Sequence, residues 1–520
     1  MTTYGFSAPH HLASATGNKV LENGGSAIDA MIAAAATIAV VYPHMNSLGG
    51  DGFWLIQRKG EAPIAIDGCG RSANAITANS YRDGIPTRGE HACVSQAGTI
   101  SGWQLARDYL AKTRQPLPLS DLFKDAIFYC EDGIEVTQSF INACNKILKE
   151  DCVSDAFKAI YTAEGQTPEL GSLIRNPNLS QLLKSLAENG LDDFYRGETA
   201  KTIADFFEQS ASPLSHADFI HHTATYVEPL QVYTSQAKLY NLPAPTQGIA
   251  SLLILAIYDR LFDASWDEAE QIHHLVEATK QAFLIRDQYV TDPDKLTEAL
   301  SDFLTEASLD KLSGEVLKDK ALPWPKQALP GDTVWMGAVD AEGTVVSFIQ
   351  SVYWEFGSGV VIPELGLVWN NRGVSFSLDE KHINFLEPNK KPMHTLNPAL
   401  AVFNNGDRMA YGTMGGEGQP QTQAALFNYY HYQGKSLSEA ISSPRWLLGR
   451  TWGDASQSLK MERQLFNNVA GSLMALGHDI EQVDDCNEMM GHAGAVVLTA
   501  NNEVMTAVDP RSDGLKETND

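Results

Sequence analysis

The chain is short of positive charge. Its 520 residues carry 38 Lys and Arg against 64 Asp and Glu, a formal net charge of −26. Such a field repels phosphate backbones and anionic lipid, so nucleic acid and membrane surfaces are excluded as partners. Cysteine is sparse and without pattern: Cys69, Cys93, Cys130, Cys144, Cys152 and Cys486 form no C-x-x-C pair. Neither a zinc site nor a disulfide framework is expected, and a reducing cytoplasm fits. Long apolar runs are missing as well. The richest, Ala30 to Val41, falls short of the roughly 20 residues that span a bilayer. The opening Met1-Thr2-Thr3-Tyr4-Gly5-Phe6-Ser7 has neither the basic nor the apolar part of a secretory signal, which again points to the cytoplasm. No internal repeat or low-complexity run occurs. What remains, 43% hydrophobic and 20% charged, is ordinary globular usage, long enough for two domains or one large sandwich.

Leu12 to Val40 reads as a helix pair, broken at Gly24-Gly25 and resumed at Asp29 as an Ala-dense helix. The Gly-rich Pro43–Gly52 loop then feeds a strand at Phe53-Trp54-Leu55-Ile56; no Lys-Ser/Thr follows it, so it matches no phosphate fingerprint. The stretch from Gly102 to Trp324 is mainly helical in period, with a rigid turn at Pro243-Ala244-Pro245. Pro323 to Pro330 has linker chemistry. Beyond Thr333 the pattern changes to short alternating strands, then helices from Gln421 and Ser436, then strands near Ala495 and Val504. His10-His11 and His221-His222 lack a third ligand at metal spacing, so no metal site is expected.

The most informative stretch is Gly331-Asp332-Thr333, which opens a strand running to Val339 and closing in the Asp340–Gly343 turn. After it come Ser351, Phe356-Gly357-Ser358-Gly359, Trp369-Asn370-Asn371-Arg372-Gly373 and Gly412-Thr413-Met414-Gly415-Gly416. Together these resemble the small subunit of the γ-glutamyltransferase family of N-terminal-nucleophile hydrolases, and the resemblance extends over nearly the whole chain. It implies an α+β fold: a four-layer αββα sandwich made by a large subunit (1–332) and a small subunit (333–520) cut from one precursor. Cleavage at Asp332–Thr333 would free Thr333 as nucleophile, with its own α-amine as base and no cofactor. Ser351 takes the place of a family Thr that hydrogen-bonds the nucleophile. Gly415 and Gly416 align with the paired glycines of the oxyanion hole.

The substrate-holding positions depart from the family. Cys69 stands where the family clamps a γ-glutamyl carboxylate with Arg, and Arg71 lies two residues on. Ser375 replaces the Asp that pairs with the substrate amine, Arg372 a Gln, Tyr353 an Asn, and His394-Thr395 a Ser-Ser pair. The Ser377–Lys390 segment, which carries the family's lid, is shortened. Losing both charged contacts disfavours a γ-glutamyl donor, whereas Arg372 and His394 suit a short amide with an adjacent carboxylate. This pattern resembles the oxamate amidohydrolase branch of the family, which acts in purine breakdown. The expected partners are a small-molecule amide and the two subunits of one precursor, with a higher homo-oligomer left open. Two rivals stand beside this: a γ-glutamyl hydrolase or transferase using Arg71 as a shifted clamp, and an unprocessed, catalytically silent relative.

Overall fold

The structure is a computed structural model that describes residues 3–82, 84–150, 152–210, 212–324, 331–449 and 457–515. Positions 325–330 of the expected linker lie outside the described residues.

Two six-stranded antiparallel sheets form the centre. One runs Gly5–Ser7, Asp332–Val339, Val345–Tyr353, Asp51–Gln57, Ile64–Gly68, Thr225–Val227. The other runs Val504–Val508, Gly494–Leu498, Arg408–Gly412, Ala399–Phe403, Ala237–Asn241, Leu230–Tyr233. Three apolar cores separate the layers. The helices His11–Glu22 and Ala27–Val41, with others, cover the first sheet. Gly248–Leu261 and Glu268–Tyr289 cover the second. Between the sheets lie Phe53, Leu55, Trp335, Ile349, Leu400 and Val496. The outcome is helix, sheet, sheet, helix.

This layering explains where the sequence pattern and the structure differ. The Asp332–Val339 strand was expected to alternate in character, yet all eight of its residues are buried, because one face meets helices and the other the second sheet. Trp335 crosses the gap between sheets and donates its indole N–H to Ser347 Oγ at 2.9 Å. Gly412 makes room for it: a Cβ there would lie 2.1 Å from the indole. The Ala-dense helix starts earlier than Asp29, at a Ser26 cap whose hydroxyl and the Asp29 carboxylate bond reciprocally. Three strands of 3–5 residues, Thr225–Val227, Leu230–Tyr233 and Ala237–Asn241, interrupt the stretch read as helical. They are too short to leave a period in that stretch and hold their place through the sheets they join. Asp509-Pro510-Arg511 is a structural brace: Arg511 bonds Asp509 at 3.0 Å and, through Nε, Glu462 at 2.8 Å. Among the described residues all six cysteines are free, and no helix is long and apolar enough to cross a membrane.

Candidate active site

The Asp332–Val339 strand is fixed by its neighbour. Val345–Tyr353 pairs with it in regular register from Val345↔Val339 to Gln350↔Val334, then slips, so that Tyr353 rather than Val352 faces Asp332. On its other side the same strand sets Ser351 opposite Asp51. The slip turns Tyr353 to φ +86, a left-handed conformation in a non-glycine residue. Such strain persists only where the surroundings enforce it; here Val352 O accepts from Asn371 N at 3.2 Å and Trp354 N donates to Asn371 Oδ1 at 3.2 Å.

The bulge aims a hydroxyl at the backbone. Ser351 Oγ accepts from Tyr353 N at 2.8 Å and donates, in a short hydrogen bond, to the carbonyl of Asp332. Ser351 was expected to hydrogen-bond the Thr333 residue and assist cleavage; its hydroxyl sits on the carbonyl of the Asp332–Thr333 peptide. The Thr333 hydroxyl, 1% exposed, accepts from Gln419 Nε2 at 3.3 Å. The Asp332–Thr333 peptide therefore has a donor on its oxygen and a held hydroxyl immediately beyond. The Asp332 side chain is buried, with Glu355 beside its carboxyl. Burial, then the nearby Glu355, hold its carboxyl well above the usual range.

Gly415 and Gly416 have φ +116 and +53, conformations that favour glycine. A Cβ on Gly416 would come within 2.9 Å of Gly331 N. Gly331 thus lies on the glycine pair, and a Cβ on Gly331 would be 3.3 Å from the Tyr353 ring. The residue two before Thr333 fills the space between the Tyr353 ring and the paired glycines.

Arg372 adjoins this space. It is 1% exposed and its guanidinium stacks 3.7 Å above the Tyr353 ring centroid. Nη1 reaches Thr395 Oγ1 at 3.4 Å, whereas Nη2 is buried with no hydrogen-bond partner among the described residues. Ser375, at the end of the same short turn, has a buried hydroxyl beside the Tyr353 phenol. Asp51, Cys69 and Tyr353 supply the negative or electron-rich surroundings of Arg372.

Two expected residues are placed differently. Arg71 does not join the cluster: its guanidinium bonds Asp292 and Asp294, each at 3.1 Å, and the Asn389 carbonyl at 2.9 Å. Its charge is already satisfied by groups more than two hundred residues along the chain, so it is not available as a shifted clamp. His394 is fully buried; its Nε2 meets Asp51 Oδ2 at 2.9 Å and its Nδ1 accepts from Leu396 N at 3.4 Å. Burial, then Arg372 and Lys391, hold its pKa well below the ordinary value. Both its nitrogens are occupied, and it offers no free donor to a substrate. Asp51 also accepts from Gly70 N at 2.8 Å and Gly98 N at 3.2 Å; burial pushes its carboxyl up to about 7 against Arg372 and these N–H groups.

Two buried groups bring potential metal ligands within 4.8 Å of one another: Asp51, Cys69 and His394, and His273, Glu277 and His478. Arg372 lies beside the first. In the second, Lys280 Nζ donates to Glu277 at 2.6 Å. A fixed cation already balances the carboxylate of each, which suits a structural role better than a metal ion. The histidine pairs have local duties: His10 accepts from Leu12 N, and His222 bonds Gln96 Oε1 at 3.1 Å.

Sequence reading missed Asp51, Gln419 and Gln247. Gln419, Gln421 and Gln423 are all buried, at the head of the Gln419–Phe427 helix. Three alternate amides in a segment otherwise destined for the core were the available signal.

The site gathers a Thr hydroxyl, a hydrogen-bonded peptide carbonyl, a glycine pair and a buried guanidinium within an N-terminal-nucleophile fold. The gamma-glutamyltranspeptidase family profile matches residues 13–518. The chain belongs to that family, and it is an enzyme of the amidohydrolase/acyltransferase kind. It is 49% identical over 521 residues to an oxamate amidohydrolase proenzyme of Klebsiella pneumoniae subsp. pneumoniae, covering 99% of this chain and 98% of that one. It is 36% identical over 517 residues to a glutathione hydrolase-like proenzyme, YwrD, of Bacillus subtilis, covering 98% and 97%. Among solved structures, the cephalosporin acylase from Bacillus halodurans superposes with a TM-score of 0.89 at 29% identity, over 98% of this chain and 94% of that chain.

Proposed function

We propose that the precursor cuts itself between Asp332 and Thr333, and that the mature enzyme hydrolyses the amide of a small carboxylated substrate such as oxamate. The observation that carries the first step is the Ser351 hydroxyl on the Asp332 carbonyl, with the Thr333 hydroxyl held by Gln419. Thr333 Oγ attacks the Asp332 carbonyl carbon while Ser351 donates to the oxygen on which charge develops. The C–N bond breaks as the nitrogen takes up a proton. Water then hydrolyses the ester, leaving a large subunit of residues 1–332 ending in a carboxylate and a small subunit of residues 333–520 beginning with a free Thr333 amine.

Withdrawal of Gly331 would then vacate the space between Tyr353 and Gly415–Gly416. A short substrate entering it would set its carboxylate on the unpaired Nη2 of Arg372, which otherwise stays buried without a partner. Thr333 Oγ gives its proton to the α-amine and attacks the amide carbon. The N–H groups of Gly415 and Gly416 hold the oxyanion, and the amine returns the proton to the departing ammonia. Water resolves the threonyl ester to the dicarboxylate. A γ-glutamyl donor is disfavoured because Arg71 is committed to Asp292 and Asp294. The 49% identical relative carries an oxamate amidohydrolase name, in keeping with this reading.

Ammonia release from oxamate and from a γ-glutamyl amide by the same purified, processed sample tests the proposal. Faster release from oxamate is expected. Release from the γ-glutamyl amide alone would overturn the substrate, and release from neither by a processed enzyme would overturn both substrates.

A further inference from the structure

We infer that Gln247 is a positioning residue that ties the acid subsite to the oxyanion glycines, so that a substrate carboxylate on Arg372 is felt in the chemical step as well as in binding. This rests on the reading above of Arg372, Gly415 and Gly416.

Gln247 is fully buried just ahead of the Gly248–Leu261 helix, after the turn at Pro243–Thr246. Its carboxamide nitrogen donates twice, to the Thr395 carbonyl at 2.7 Å and to the Gly416 carbonyl at 2.8 Å. Its oxygen accepts from Arg286 Nη1 at 3.1 Å, and Arg286 Nη2 bonds Glu417 at 2.7 Å. The backbone is tied to the same loop, since Gln247 N donates to the His394 carbonyl at 2.8 Å. Only a carboxamide of this length donates two hydrogen bonds and accepts one here. A carboxylate would face two carbonyl oxygens with no proton to give, and an apolar side chain would leave both unpaired.

The consequence lies in the peptide planes around Gly416. The Gly415 carbonyl is held by Gly418 N–H at 2.8 Å, which orients the Gly416 N–H in the same plane. The Gly416 carbonyl is held by Gln247, which fixes the next plane. The Gly415 N–H lies in the plane before these two, where the Met414 carbonyl accepts from Thr413 Oγ1 at 2.9 Å. Gln247 therefore secures the plane that follows the pair, and with the planes around Gly416 held its N–H keeps its aim at a developing oxyanion. At the other end, the residue whose carbonyl Gln247 grips is Thr395, and the Thr395 hydroxyl is what Arg372 Nη1 reaches at 3.4 Å. The chain of contacts is Arg372, Thr395, Gln247, Gly416. A carboxylate that orders Arg372 therefore also tightens the oxyanion loop, and a neutral amide does not.

The test compares Gln247→Glu and Gln247→Met with the wild type on oxamate, measuring kcat and KM near pH 8 and near pH 5, with intact mass reporting whether each variant has matured. For Gln247→Glu, kcat near pH 8 should fall on the order of 100-fold, the scale of losing an oxyanion donor, with KM changed far less. Near pH 5 its kcat relative to wild type should recover in part, because a protonated carboxyl again donates one of the two hydrogen bonds where a carboxylate repels both carbonyls. Gln247→Met should be slow at both pH values. If kcat stays at the wild-type level in both variants, if the loss falls on KM alone, or if the Gln247→Glu defect does not respond to acid, the inference is wrong. Should Gln247→Glu fail to mature, the kcat and KM split of Gln247→Met decides. A wild type that turns over only the γ-glutamyl amide overturns the substrate reading instead, and the same split is then measured on that amide.

Discussion

Arg372→Gln separates a substrate clamp from a structural cation. In the structure the guanidinium is buried, stacked on Tyr353 and bonded once to Thr395, with Nη2 unpaired. A substrate carboxylate there gains a charge-assisted contact of about 1.5–3 kcal/mol. At about 1.4 kcal/mol per tenfold, its loss lowers kcat/KM for oxamate by roughly 10- to 150-fold. Oxamide, in which a carboxamide replaces the carboxylate, is the control: it offers no anion, so its turnover should fall much less. Stability gives a second readout. Removing a buried, half-satisfied charge relieves desolvation, while losing the stack costs up to about 2 kcal/mol. These offset, so Tm should move little. The assay is ammonia release from both amides, with a thermal melt of the same samples. Equal losses on oxamate and oxamide, or a large drop in Tm, would refute the clamp and make Arg372 a structural residue.

Ser351→Ala removes the donor on the Asp332 carbonyl and should slow self-cleavage by about 10²–10³-fold, followed by mass against time; cleavage at the wild-type rate would dismiss the hydrogen bond as incidental. Asp51→Asn tests the buried carboxyl pushed up to about 7. Between about pH 4, where the unfolded group releases its proton, and about 7, the folded state binds more protons, so stability from Asp51 is full below that window and falls as pH rises through it. The Tm of the variant relative to wild type should therefore rise from acid to neutral pH, and a difference that is constant with pH contradicts the assignment.

The parts of the site that were legible in the sequence are those written in contiguous residues. Asp332-Thr333 opens the strand and Gly415-Gly416 makes a bend that favours glycine, both written in adjacent residues, and the helix pair after Leu12 is announced by its period. The parts that were not legible depend on contacts between distant segments. Arg71 looked available because Asp292 and Asp294 lie far along the chain. His394 looked like a donor until the first sheet brought Asp51 to its Nε2. Ser351 was expected beside Thr333, and the partner it has there depends on a one-residue slip between two strands, which no alternation of side chains records. Gln247 and Gln419 are single amides whose meaning lies in the backbone groups they meet, and those are set by the packing of the helices behind the second sheet.

The central claim is the bond that breaks. Intact mass after purification and storage, with the N-terminal residue of the smaller fragment determined, tests it directly. The account expects two fragments, residues 1–332 and 333–520, the smaller beginning with Thr333. A single 56.7 kDa chain, or a small fragment beginning at any other residue, would contradict it.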